Sequence, residues 1–246
     1  MTDVVWSYGG GVQSVAIAVL VAEGRLPMPD HIVIADTGRE TRLTWEYMHD
    51  HVEPMLGRTI DIIPHEAARV DLYDPKGRLL IPAWTDNPEG KGRLPTYCSA
   101  EWKRDVIARW MRQKGYGPKN PVAVWLGIST DEVHRAKQPR QQFVTNHFPL
   151  MFDVPLGRAE CLLLAEKHGL PRPPRSACWM CPHRSDESWR ALPADEMQAA
   201  IEFEREVRAK DAHFYLHRSL APLESVDMTD ERMGLFDECD EGYCFV

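Results

Sequence analysis

No stretch of this sequence stays apolar for the roughly 18 residues that a membrane-spanning helix needs, so no membrane partner is expected. The N-terminus, MTDVVWSYGG, has no basic leader, apolar core and small-residue cleavage site, and a cytoplasmic location is the expectation. Basic charge is in deficit, with 29 lysines and arginines against 37 aspartates and glutamates and a formal net charge of −8. That balance disfavours a broad, sequence-blind grip on a phosphate backbone, which basic side chains drive, and leaves room only for a local basic patch. The ten histidines include no H-E-x-x-H pair, so none is assigned to a metal. Internal repeats and low-complexity tracts are also missing. The six cysteines do not read as a disulfide framework in a reducing compartment, and metal, cluster or redox chemistry is the better reading.

What is present fits one large α/β domain, or a core with a smaller appendage, in 246 residues. VVWS reads as a strand, residues 13 to 24 as a helix closed by Gly24, HIVIAD as a buried strand, residues 41 to 56 as a helix and TIDIIP as a strand. This alternation predicts a doubly wound, mostly parallel sheet with ligands at the carboxyl ends of its strands. Residues 74 to 96 are rich in proline and glycine and read as a long irregular loop. Helices are expected over 99 to 115, with Ser99 as N-cap, over 157 to 169 and over 194 to 212, and a strand over 122 to 130. The division expected is a nucleotide-binding core over 1 to 157 and a helical, cysteine-bearing C-terminal region over 158 to 246.

The loop SYGGGVQS joins the first strand to the first helix. Glycines there let backbone amides close on a phosphate, and the helix N-terminus adds a favourable dipole. The loop has no Gly-Lys-Ser/Thr ending and does not match Gly-x-Gly-x-x-Gly, so two common phosphate loops are excluded. A tight turn without a ligand is the plain alternative.

GGGVQS followed by IADTGRET, YCSAEWKRD, WLGISTDEVHR, PL at 149 to 150 and SACWMCP resembles, in that order, the PAPS reductase-like branch of the pyrophosphate-loop ATP pyrophosphatases. The resemblance covers most of the chain. It implies that Ser7, Gly9, Gly10, Gly11, Gln13 and Ser14 cradle the phosphates of an adenine nucleotide, with or without Mg2+. It also implies that Asp36, Thr37 and Glu40 help to hold the nucleotide, that Gly127 and Ile128 border the adenosine pocket, and that Asp131 and Arg135 make nucleotide or substrate contacts. The family's loop reads Ser-Gly-Gly-x-Asp-Ser; here Gly9 replaces the first serine and Gln13 the aspartate. The full glycine run and Ser14 favour ATP over an adenylyl sulfate.

Cys178 and Cys181 form a C-x-x-C whose sulfurs can reach one metal or cluster. A redox dithiol and a structural zinc, the latter on Cys178, Cys181 and Cys98 with His183 or Cys161, are the competing readings. The resemblance implies a [4Fe-4S] cluster with Cys98, Cys178 and Cys181 as ligands. The family's Cys-Cys pair reads Tyr97-Cys98 here, and Cys161 is the candidate fourth ligand; its alternative is a small apolar residue on a buried helix face. Cys239 and Cys244 in the tail FDECDEGYCFV are catalytic candidates by partial likeness to a Glu-Cys-Gly tail, as a sulfonyl-attacking, persulfide or disulfide-forming thiol.

Lys103 and Arg104 follow Cys98 at a spacing that can place a cation beside cluster or phosphates, against a default of solvent exposure. Arg93 can touch an anionic substrate, and Trp84, Trp179 and Trp189 can stack a base or pack a core. The expected function is adenylation or thiolation of an acceptor, a nucleobase in tRNA or DNA or a small molecule, with a sulfur or electron donor protein as partner. The alternatives are a reductive sulfonucleotide reductase using Cys239, and a non-catalytic nucleotide-binding redox module.

Overall fold

The computed structural model describes residues 2–139 and 141–229. Five parallel strands form the central sheet: β1 (Asp3–Ser7), β2 (His31–Ala35), β3 (Asp61–Ile63), β6 (Val122–Leu126) and β7 (Val144–His147), in the order β3-β2-β1-β6-β7. β1 is central and buried on both faces at Val5 and Trp6, which explains its unbroken apolar run. It pairs residue for residue with β6 from Asp3 opposite Val122 to Ser7 opposite Leu126.

Helix α1 (Val12–Ala22) is buried along nearly its whole length and is apolar all round, because it lies between the sheet and a second layer of helices. The expected second helix is three continuous pieces, α2 (Arg42–Tyr47), a π-helical turn over Met48–Val52, and α3 (Glu53–Leu56). Pro54 supplies no amide to the ladder, and the Glu53 amide bonds five residues back to Met48, widening the helix there. On the opposite face α4 (Asp105–Gln113) packs against β2 and β3. After β7 come α5 (Pro149–Phe152) and α6 (Arg158–Lys167), and α6 packs on α1 within the same apolar cluster.

The segment expected as an irregular loop carries two short strands, β4 (Trp84–Thr85) and β5 (Gly92–Arg93), which pair antiparallel. β4 also pairs with β8 (Phe214–Tyr215), so this excursion is tied to the far end of the chain. A separate apolar cluster gathers here, built from Leu80, Ile81, Trp102, Met180, Trp189 and Phe214 and joined by α8 (Ala194–Arg208). No described helix is long and apolar enough to cross a membrane.

Candidate functional site

The chain leaves β1 toward β2 and β3 on one side and returns to β6 and β7 on the other, so the loops after β1 and β6 diverge and open a crevice. The cleft there is open to solvent and encloses about 760 Å3 of space including its mouth. Its floor is the glycine loop, through Ser7, Gly9, Gly11, Gln13 and Ser14, and its wall is Gly127 and Ile128. Gly10 makes the turn possible rather than lining the cleft. Its φ is +75°, and a Cβ there would lie 2.5 Å from Thr44 Cγ2 and 3.1 Å from Ser176 Oγ. Gly127 allows β6 to approach the helix start, since its Cβ would lie 3.4 Å from the Ser14 amide nitrogen and hydroxyl. The Gly9 amide donates to Ser14 Oγ at 2.9 Å, and no side chain caps the first turn of α1, so its leading amides face the cleft.

Charge in the cleft comes from three separate segments. Arg135, on a 3-10 turn over Thr130–Arg135, pairs with Glu132, and both are buried. Gln13 Nε2 donates to Glu132 Oε2 at 3.0 Å and to Ser129 Oγ at 3.3 Å, while its Oε1 accepts from Arg158 Nη1 at 3.4 Å. Gln13 thus recruits a carboxylate from across the crevice. Arg158, at the start of α6, and Arg175 also line the cleft, so three guanidiniums and one carboxylate, Glu132, face its interior, a balance that leaves it basic and suited to an anion. Asp131 stands just outside, accepting from Ser129 Oγ and from the Arg158 amide. Burial works against its carboxylate, but these bonds and the Arg158 charge outweigh it and hold the group below the usual carboxylate range.

A second pocket, of different character, opens beside the first. Cys98, Cys178 and Cys181 all line it, with Thr37, Lys103 and Trp102, and its surface is almost wholly apolar. Cys98 caps a π-helical turn over Ser99–Arg104 that leads into α4, and no side-chain bond caps it, so Ser99 is not the N-cap. The turn brings Cys98 and Lys103, from its two ends, to the lining of the same pocket. Thr37 Oγ1 lies 3.3 Å from Cys178 Sγ. The C-x-x-C turn closes by the Cys181 amide onto the Cys178 carbonyl at 3.0 Å. Among the described residues, no three histidine, cysteine, aspartate or glutamate side chains are gathered closely enough to hold a single metal ion.

Glu40 joins the two chambers. Its backbone bridges Cys178, and its buried carboxylate accepts from Ser176 Oγ at 3.0 Å and Thr44 Oγ1 at 3.2 Å on the side of the glycine loop. On the other side it pairs with Lys103 Nζ at 3.3 Å. Glu40 is therefore behind the loop and not in the cleft. Asp36 is likewise turned to its own loop, accepting from the Gly38 amide at 2.7 Å. Thr37 belongs to the cysteine pocket.

Cys161 is not brought to that pocket. It is fully buried on α6 against α1, in a different apolar cluster from that of Cys98 and Cys178, where burial first and then Asp131 and Glu160 push its thiol up to about 12. Its place is the small apolar one that was the alternative reading. Cys239 and Cys244 lie outside the described residues. Of the aromatic candidates, Trp189 is fully buried, Trp179 packs edge-on to Phe203, and Trp84 Nε1 donates to the Pro182 carbonyl. Arg104 pairs with Asp105 on the exposed side of its turn. Arg158 is a site contributor without a legible motif, marked only by its nearness in the fold to the glycine loop, and Ser176 opens the quoted SACWMCP without having been assigned a role.

The sequence matches no protein-family model and no curated protein. Among solved structures, the chain is similar to a phosphoadenylyl-sulfate (PAPS) reductase from Candida auris, determined as a phosphate complex, with 13% identity and a TM-score of 0.47 over 70% of this chain and 76% of that one. It is also similar to the U34-tRNA thiolase NcsA from Methanococcus maripaludis with its [4Fe-4S] cluster, with 16% identity and a TM-score of 0.45 over 85% of this chain and 66% of that one.

Proposed function

We propose that this chain is an ATP-dependent sulfur-transfer enzyme, binding an adenine nucleotide in the β1–β6 cleft and an iron–sulfur cluster on Cys98, Cys178 and Cys181. The observation that carries the reading is the shared wall: one carboxylate, Glu40, touches the backing of the phosphate loop and the ammonium of the thiol pocket. The donor set fits a cluster better than an ion, since three thiols surround a cavity without meeting at one point. When bound, the cluster supplies a place where a sulfide can be held next to the nucleotide.

The work of the protein's own groups follows from their placement. The α1 amides and the three guanidiniums hold the polyphosphate and spread its charge. An acceptor oxygen attacks the α-phosphorus, the bond to the β-phosphate breaks, and pyrophosphate leaves. Sulfur from a donor then replaces the adenylate at the acceptor carbon, and AMP leaves with the oxygen. Lys103, held by Glu40, offsets negative charge at the junction of the chambers. The acceptor proposed is a nucleobase in RNA or DNA or a small molecule.

The test is anaerobic purification followed by iron, zinc and sulfide analysis, ATP titration calorimetry, and pyrophosphate release with tRNA, DNA and nucleobase acceptors in turn. Iron and sulfide together with saturable ATP binding support the reading. One zinc without sulfide, or no ATP binding, sinks it.

A further inference from the structure

The C-x-x-C turn is wrapped around a buried guanidinium. Arg184 is 6% exposed, between the turn and α7 (Asp186–Arg190). Its Nη2 donates to the carbonyls of Ala177 at 3.1 Å and Cys178 at 3.0 Å, and its Nη1 to Ser188 Oγ at 2.9 Å. The guanidinium carbon lies 5.8 Å from the centre of the Trp189 ring. Its backbone amide bonds to the Cys181 carbonyl at 3.3 Å, so the residue grips the turn at both ends. None of these partners carries a negative charge. Its buried Nε has no hydrogen-bond partner.

A buried cation is costly unless an anion offsets it, and a buried N–H without an acceptor adds to that cost. Glu40 is already engaged by Lys103, Ser176 and Thr44. Glu40 acts on Arg184 only through space, and the other negative charge within reach is that of Cys178 and Cys181 when they ligate as thiolates. We infer that Arg184 is the internal counter-charge of the cysteine pocket: it positions the C-x-x-C carbonyls and balances an occupant that is anionic overall. The inference rests on the cluster reading above. It assigns Arg184 a positioning and electrostatic role, with consequences for retention of the cluster and for its reduction potential, since net charge and hydrogen bonding tune both.

The experiment compares wild type, Arg184→Lys and Arg184→Met after anaerobic reconstitution, reading iron and sulfide per chain, the midpoint potential by spectroelectrochemical titration, and the fold by circular dichroism. Arg184→Lys should stay near wild type in content and potential. Arg184→Met should either lose iron several-fold, or hold its cluster with the oxidised-to-reduced ratio at a fixed potential raised at least tenfold, a negative shift of about 59 mV for a one-electron couple. Should Arg184→Met not fold, Arg184→Gln, which keeps donors for the carbonyls without the charge, carries the same expectation. A folded neutral variant with wild-type iron content and potential overturns the inference and leaves the cluster reading standing. A folded Arg184→Lys that fails as the neutral variants do also overturns it, since shape and not charge would then be at work. Wild type that takes up no iron and sulfide overturns the cluster reading, and this inference with it.

Discussion

The cleft and the cysteine pocket share a wall but are built as opposite solvents. The cleft is made of backbone amides, hydroxyls and guanidiniums around an open mouth, an environment that rewards a multiply charged, well-hydrated anion. The pocket is apolar and lined by thiols, an environment in which a charge is expensive unless it is matched. The lesson is one of division of labour: a parallel sheet delivers the cleft through its switch point, whereas the thiol pocket is assembled from an excursion after β3 and the segment after α6. Glu40, Ser176 and Lys103 keep the two in register.

The sharpest break in this comparison is a cysteine exchange. Replacing Cys98 or Cys178 by alanine should bring reconstituted iron and sulfide to background while ATP binding persists, whereas Cys161→Ala should keep full iron content; an unchanged Cys98→Ala would detach that thiol from the site. Next comes the glycine loop. Gly10→Ala should cost about 3 kcal/mol in urea denaturation and abolish ATP binding, because the left-handed backbone and the contact with Thr44 both oppose a methyl group. Gly24→Ala, also at positive φ but with nothing within 4 Å, should cost about 1–2 kcal/mol and spare ATP binding. Equal losses in the two would show that Thr44 and Ser176 do not confine the loop.

Arg158→Gln should weaken ATP binding about tenfold by calorimetry, the loss of one charge-assisted contact, without changing iron content. An effect on iron and not on ATP would reverse the roles given to the chambers. The smallest effect concerns alkali. Cys161 keeps its proton to about 12 when folded and loses it near 9 when unfolded, so the native chain holds more protons in between and stability falls as pH rises through that window. Cys161→Ala should flatten that decline by up to about 1.4 kcal/mol per pH unit, measured by urea melts from pH 8 to 11. An identical slope in both proteins would place the thiol elsewhere.

Much of the first half was legible because its periodicity is strong and its glycines are clustered: β1, α1, β2 and β3 lie where the apolar runs put them, and the loop at 9 to 14 opens on a cleft. β7 was missed because VTNH is short and mostly polar, without alternation. The strands inside residues 74 to 96 are two residues long and depend on a partner near residue 214, which no local pattern can announce. Both π turns read as ordinary helix in sequence, since the change from four-residue to five-residue hydrogen bonding has no compositional mark. Cys161 was grouped with the other cysteines because it lies just upstream of the proline-rich stretch, while its burial on α6 follows from its helix face. Gln13 looked like a lost aspartate; the carboxylate that meets it, Glu132, was visible only as part of an acidic turn.

The isolated bridge between Glu40 and Cys178 has a consequence for how and when the protein becomes competent. All five strands of the large sheet precede residue 148, yet Arg175 and Ser176 of the cleft and Cys178 and Cys181 of the pocket come from the stretch that returns after α6. Closing that long return is paid in chain entropy after the local units have formed. A nascent chain halted at α6 would own a finished sheet and the floor of the cleft but not the cleft's Arg175–Ser176 rim or the thiol pocket, so the segment that completes both chambers is a proline-rich stretch that the sheet does not need.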